Sequence, residues 1–251
     1  LAFLDAIYRP APISTRAHHG HVISAGFGIL LLSVVGISMF FGIRILPFGW
    51  IGSYTLFFII VYFIAMRLIY TYEKRQISLF MKEMEVVLKY GNVSTKTAII
   101  NYSINAVFII VAATFLPKIG KGIAETTGLG QTFVGNIFIA LSTSLPEVVV
   151  SFAAVKMDAI DLAIGNLFGS NIFNIFILAI DDIFFTKGPI LSFVSPNHII
   201  SALSAIAMIT IAIIGLTYRA EKKRLLLAWD SIGILLIYLI NLILLYILRS
   251  S

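Results

Sequence analysis

The chain is constrained most by a succession of apolar segments, each long enough to cross a lipid bilayer. One helical crossing needs about 20 apolar residues. Strict alternation of apolar and polar residues is absent from these segments, which argues against a transmembrane barrel. The sequence therefore predicts an all-α polytopic membrane protein with about seven transmembrane helices. The predicted spans are roughly residues 23–44, 50–70, 98–117, 131–155, 161–180, 197–217 and 229–247.

Composition and missing motifs exclude several classes of protein. Hydrophobic residues make up 59% of the chain and charged residues 12%, which is far more apolar surface than a soluble core requires. Contact with anionic lipid explains the net charge of +6, so no nucleic-acid partner is needed. Because the chain has no Cys, disulfide and thiolate chemistry are excluded. The usual nucleophile, zinc-protease and nucleotide-binding motifs are absent, so we expect neither an enzyme nor a resident cofactor.

Basic residues predict how the chain is oriented in its membrane. Most Lys and Arg residues fall in the N-terminal segment and in the connections at 71–97 and 218–228. The positive-inside rule makes this side cytoplasmic. The 71–97 connection is then a cytoplasmic loop, in which residues 77–88 are expected to form a short amphipathic helix. Short loops and the lack of a recognisable targeting signal favour a bacterial inner membrane.

The fourth predicted span carries polar groups at mid-membrane depth. Residues 140–147 read Ala-Leu-Ser-Thr-Ser-Leu-Pro-Glu. Pro146 cannot donate a backbone hydrogen bond to Ser142, so we expect the helix to kink or unwind beside Glu147. A carboxylate in hydrocarbon is costly and usually functional, and oxygen ligands suit hard cations such as Ca²⁺ or Na⁺. These residues indicate an ion path.

The fifth predicted span adds a polar stripe. Asn166, Ser170 and Asn174 follow at i, i+4 and i+8, which places them along one side of a helix. Interhelical hydrogen bonding is the alternative interpretation. The short connection at 156–160 predicts an antiparallel hairpin, in which Glu147 meets this stripe near the midplane.

Residues 140–147 and the Asp-Leu-Ala-Ile-Gly-Asn-Leu-Phe-Gly-Ser-Asn-Ile-Phe-Asn of residues 161–174 together resemble an α-repeat of the sodium/calcium exchangers. Members of that family pair two inverted five-helix repeats and bind ions between them. The resemblance implies that Glu147 is the central carboxylate ligand for Ca²⁺ and Na⁺. It also implies further ligand oxygens from Ala140 (backbone), Thr143, Ser144, Ser170 and Asn174. Ser142 stands where the family usually has Gly, and Asn174 stands where some members have Asp.

The resemblance also predicts how the chain is divided. Residues 1–70 would be the remnant of a first repeat (the end of helix 3, then helices 4 and 5), and 71–97 the central loop. Residues 98–251 would be the second repeat (helices 6–10), with its α-repeat at about 131–180. Residues 1–97 contain no second hairpin of this type. Since Ca²⁺ takes about six to eight oxygens, one carboxylate predicts an incomplete site and a missing N-terminal repeat as partner.

Three functions remain open from the sequence. The first is secondary antiport of Ca²⁺ for Na⁺, and the second is antiport of Ca²⁺ for H⁺, because a buried carboxylate also binds protons. The third is a membrane subunit that does not transport. Two other clusters are weaker candidates: His18, His19 and His21 for a transition metal, and Asp181 with Asp182, which we expect to be interfacial.

Overall fold

The computed structural model describes residues 12–15, 17–41, 47–83, 94–128, 134, 138–220 and 227–248. Within this part of the chain seven long helices follow one another, which confirms the predicted all-α polytopic class. They are α1 (His21–Phe41), α2 (Ser53–Glu83), α3 (Thr95–Thr127), α4 (Ala140–Lys156), α5 (Ile160–Phe184), α6 (His198–Tyr218) and α7 (Trp229–Ile247). Short 3₁₀ turns occur at Ile13–Thr15 and Ile190–Ser192.

Six of these helices are long and apolar enough to span a membrane, and α4 is the exception. Its 17 residues measure about 26 Å at the usual rise per residue, somewhat less than the hydrocarbon thickness of about 30 Å. At the other extreme, α3 has 33 residues and is longer than a bilayer requires. The chain is an integral, multi-pass membrane protein.

The predicted 71–97 connection begins as helix. The second helix, α2, continues without interruption through Glu83, so residues 77–83 prolong it and do not start a separate helix. Residues 84–93, which include the rest of the predicted amphipathic helix, lie outside the described part of the chain. Residue Ser94 then precedes α3.

Helix α5 occupies the middle of the helix packing and contacts α1, α2 and α4, while α6 packs between α1 and α7. Side chains at helical spacing on α5 form its buried face, and they are Ile160, Ala163, Ile164, Phe168, Ile172, Ile175, Ala179 and Asp182. An aromatic stack adds to the contact with α2, because the rings of Tyr62 and Phe176 lie 4.2 Å apart. By contrast, α3 buries only Gly120 and Ala124.

Polar contacts fasten both ends of the central helices. At one end, called here the His21 end, Nε2 of His21 lies 2.9 Å from Oδ1 of Asp161, and Arg219 donates to the carbonyl of Ala17. At the other end, called here the Asp182 end, a short hairpin pairs two strands of two residues each, β1 (Pro47–Phe48) and β2 (Ile51–Gly52). The sequence did not predict this hairpin, which leads directly into α2.

Candidate functional site

Helices α4 and α5 form the predicted antiparallel hairpin. A three-residue turn joins them, and Asp158 within it adopts a left-handed conformation with φ of 65°. The amide of Ala159 donates to the carbonyl of Ala154 at 2.8 Å, closing the turn. Ala154 and Val155 are buried against Ile160 and Ala163 in one apolar cluster. The base of the hairpin is thus firmly packed.

A small polar network connects the two helices one to two turns above this base. The side-chain amide of Asn166 donates to the backbone carbonyl of Glu147 and to the hydroxyl of Ser151, both at 3.2 Å. Ser151 is buried and lies 3.4 Å from the carbonyl of Ala163. The interhelical hydrogen bonding that the sequence left as an alternative for the stripe is therefore present at Asn166.

The Glu147 side chain is half-buried, and its oxygen Oε2 is shielded from solvent. Among the described residues no donor lies within hydrogen-bonding distance of Oε2. A carboxylate oxygen in such surroundings is costly unless a cation, a proton or a donor compensates it. Glu147 has the surroundings expected of a carboxylate that binds a positive charge.

Three hydroxyls on this hairpin donate hydrogen bonds to backbone carbonyls about one turn earlier in the chain. Ser142 donates to the carbonyl of Phe138 at 2.7 Å. Thr143 donates to the carbonyls of Ile139 and Ala140, at 3.0 and 3.1 Å, and Ser170 donates to Leu167 at 3.0 Å. A hydroxyl whose proton is engaged in this way still has lone pairs to offer a cation. These hydroxyls can act as neutral oxygen ligands.

Of the kink or unwinding expected at Pro146, the unwinding does not occur. Helix α4 is continuous from Ala140 to Lys156 with Pro146 inside it. The physical consequence of the proline remains, because the carbonyl of Ser142 has no N–H four residues ahead. A π-helical turn at Phe138 and Ile139 precedes α4, and such turns are frequent at functional sites.

The helical rise determines the levels of the remaining predicted ligands. Asn166 lies level with Glu147, so Ser170 lies about 6 Å further along α5, at the level of Thr143. Asn174, two turns beyond Asn166 and close to the level of Ala140, is exposed. The structure therefore brings Glu147 and Asn166 together directly, and it places Ser170, Thr143 and Ser144 on the same hairpin.

The weaker metal candidate, the histidine cluster, has structural contacts. Nδ1 of His18 accepts a hydrogen bond from the amide of Gly20 at 3.1 Å, and Asp161 bonds both His21 and the backbone of His18. Within the described residues no group of three or more His, Cys, Asp and Glu side chains could hold a metal ion. His18 and His21 thus hold the start of α1 against Asp161 of α5.

Asp182, which the sequence places at the outward end of this helix, is fully buried inside the protein. Its carboxylate accepts four hydrogen bonds, from the amides of Gly52 and Ile190 and the hydroxyls of Tyr54 and Thr55. Helical spacing could have indicated that Asp182 is buried, because it continues the buried series of Ile172, Ile175 and Ala179. Its neighbour Asp181 is exposed.

Comparison with known protein families identifies the family of this chain. The family model described as sodium/calcium exchanger protein matches residues 97–247, which is more than half of the chain. The chain belongs to the sodium/calcium exchanger family. The family is one of secondary transporters rather than enzymes. The resemblance seen at residues 140–147 and 161–174 is thereby confirmed.

Individual exchangers are similar over shorter stretches. A sodium/calcium exchanger, MaX1 of Methanosarcina acetivorans, is 30% identical over 139 residues, which cover 55% of this chain and 37% of that protein. The human sodium/potassium/calcium exchanger 5 is 34% identical over 85 residues, covering 34% of this chain and 17% of that protein. The matched stretches thus span well under half of these relatives. No solved structure matches the chain.

Proposed function

We propose that the chain serves secondary active antiport of Ca²⁺ against Na⁺. Glu147 is the central ligand in this proposal, with oxygens from Thr143, Ser144, Ser170, Asn174 and the backbone of Ala140. The observation that carries it is the oxygen Oε2 of Glu147, which is shielded from solvent within a hydroxyl-rich turn and has no hydrogen-bond partner among the residues that the structure describes. Hard cations prefer such an all-oxygen set.

One hairpin offers too little negative charge for a whole Ca²⁺ site. Ca²⁺ takes about six to eight oxygens, and Glu147 is the single carboxylate of the predicted ligand set. The remaining ligands come from a second α-repeat that packs against this hairpin. On this proposal, residues 1–70 are the end of a first repeat, 71–97 the cytoplasmic loop and 98–251 the second repeat, in a bacterial inner membrane.

A proton-coupled antiporter is the second candidate. A carboxylate in a membrane-spanning segment can bind either a proton or a metal cation. The two candidates differ in the gradient that drives Ca²⁺ movement. The non-transporting subunit differs from both in showing no flux.

The test is ⁴⁵Ca²⁺ uptake into proteoliposomes loaded with Na⁺, with a pH gradient in a parallel set. Two proteins are reconstituted: this chain, and a longer chain that also includes the residues encoded upstream of it. Each is tested with Glu147 and with Glu147→Gln. Glu125→Gln is the matched control, because that glutamate is exposed beside Lys121 on α3. We expect Na⁺-driven uptake by the extended protein, abolished by Glu147→Gln and retained in Glu125→Gln. Uptake driven only by the pH gradient would favour the proton-coupled candidate, and uptake under neither gradient would overturn both.

A further inference from the structure

Helix α4 is held to the rest of the described protein unevenly. Its buried residues are Ser151, Ala154 and Val155, all of which follow Glu147. The residues from Ala140 to Val150 are exposed or half-buried. The ligand-bearing half of α4 therefore extends beyond the packed base of the hairpin, and apolar packing does not determine its rotation about the helix axis.

Pro146 weakens the same stretch from within. Because its nitrogen carries no hydrogen, the carbonyl of Ser142 lacks the helical bond that other carbonyls in α4 receive. A turn that has lost an internal hydrogen bond bends and rotates more easily. The direction in which Glu147 points thus depends on contacts made from outside α4.

Asn166 supplies the contact nearest to Glu147. Its amide group reaches the carbonyl of Glu147 at 3.2 Å and the hydroxyl of Ser151 at 3.2 Å. The orientation of the amide is determined by chemistry, because a carbonyl oxygen can only accept and must therefore face the NH₂ group. Both donors of that group are directed at α4, one turn apart, so they resist rotation of the helix.

We propose that Asn166 is a positioning residue for ion binding: by bonding the carbonyl of Glu147, it holds the turn of α4 in the rotation that shields the Glu147 carboxylate. Asn166 itself contributes no ligand in this role. The ion-binding part of the inference rests on the proposed function, whereas the orientation of Glu147 is measurable without transport. An asparagine that merely joins two helices would affect the whole hairpin and not Glu147 in particular.

The experiment uses carbodiimide labelling of carboxyl groups in the full chain in lipid nanodiscs, read by peptide mass spectrometry. The measured quantity is the labelling rate of Glu147 divided by that of Asp161, which lies in the first turn of α5 on the same hairpin. In Asn166→Leu we expect this ratio to rise about fivefold, the factor that the net free energy of one hydrogen bond corresponds to. Asn171→Leu makes the same chemical change on an adjoining face of α5 and is expected to leave the ratio unchanged.

Two further variants test the direct bond. Ser151→Ala removes one acceptor of Asn166 but keeps the carbonyl of Glu147, so the ratio is expected to stay within about twofold of the unmodified chain. Should Asn166→Leu fail to fold, Asn166→Gln decides, since it keeps the amide but displaces it by one methylene and is expected to raise the ratio. An unchanged ratio in the Asn166 variants, or an equal rise in Ser151→Ala, would overturn the proposal. Protection of Glu147 by Ca²⁺ or Na⁺ is scored separately, in the protein extended upstream, because the proposed function gives this chain alone an incomplete Ca²⁺ site. Its absence there would count against the proposed function alone.

Discussion

The hydroxyl of Tyr54, at the start of α2, donates a hydrogen bond of 2.8 Å to the carboxylate of Asp182, near the end of α5. The same hydroxyl accepts a bond from the amide of Leu191 at 3.1 Å. Three separate segments are thereby joined around one buried carboxylate. Four donors compensate that charge in the part of the chain the structure describes, and none of the four is cationic.

Replacing this carboxylate is expected to destabilise the protein strongly. In Asp182→Asn one oxygen becomes an NH₂ group, which faces donors and cannot accept from them. The loss of two charge-assisted bonds costs about 3 kcal/mol or more. Thermal unfolding in detergent measures the effect, and Asp181→Asn is the control, because Asp181 is exposed on the same turn. Similar melting temperatures for the two variants would contradict the role of Asp182 as an anchor.

Tyr54→Phe tests the same cluster from the other helix. Removing the hydroxyl deprives Asp182 of one donor and leaves the buried amide of Leu191 without its acceptor, at a cost of about 1–3 kcal/mol. Tyr70→Phe, on an exposed part of α2, is expected to cost almost nothing. When Tyr54→Phe is combined with Asp182→Asn, the loss of stability should be clearly smaller than the sum of the two single losses, because the two residues share one network. Additive losses would show that they act independently.

The membrane-spanning architecture was readable from the sequence because apolar length and polar breaks are local properties. Windows such as 229–247 coincide with the observed helix. The buried state of Asp182 was harder to predict, since a carboxylate next to an exposed Asp181 at a helix end suggests an interface. Three of its four donors come from Gly52, Tyr54 and Thr55, which are more than a hundred residues away in sequence. Partners at such separations leave no local pattern.

At the candidate site, residue types and spacing predicted the hairpin and the closeness of Glu147 to the asparagine stripe. They did not predict which stripe residue would make the contact, because that depends on how the two helices are rotated about their axes, which no local sequence pattern specifies. Of the two effects expected at Pro146, a kink or unwinding, the unwinding is absent. A single missing hydrogen bond leaves the remaining helical bonds of α4 in place, and they suffice to keep the backbone helical.

Close packing of α6 against α7 predicts an intolerant glycine. A Cβ added to Gly215 would collide with the carboxylate of Asp230, whereas a Cβ at Gly36 in α1 would meet nothing within 4 Å. Gly215→Ala is therefore expected to lower stability by about 1–3 kcal/mol through overpacking. Gly36→Ala is expected to be neutral or to stabilise by up to about 1 kcal/mol through its helix propensity. The melting temperatures of the two variants in the same detergent test this prediction. An unchanged melting temperature in Gly215→Ala would argue against this helix contact.

Pro146→Ala separates helix stability from ion binding. Alanine restores the N–H that the carbonyl of Ser142 lacks and removes a helix-interior proline whose intrinsic cost is about 3 kcal/mol. In the protein extended upstream we expect the melting temperature to rise while Ca²⁺ protects Glu147 less well from carbodiimide, because the Ser142 carbonyl becomes engaged and the turn stiffens. Pro117→Ala in α3 is the matched control, as that proline also lies inside a long helix; it should stabilise without changing Ca²⁺ protection of Glu147. If Pro146→Ala raised stability and left the protection intact, the free carbonyl beside Glu147 would have no part in binding the ion.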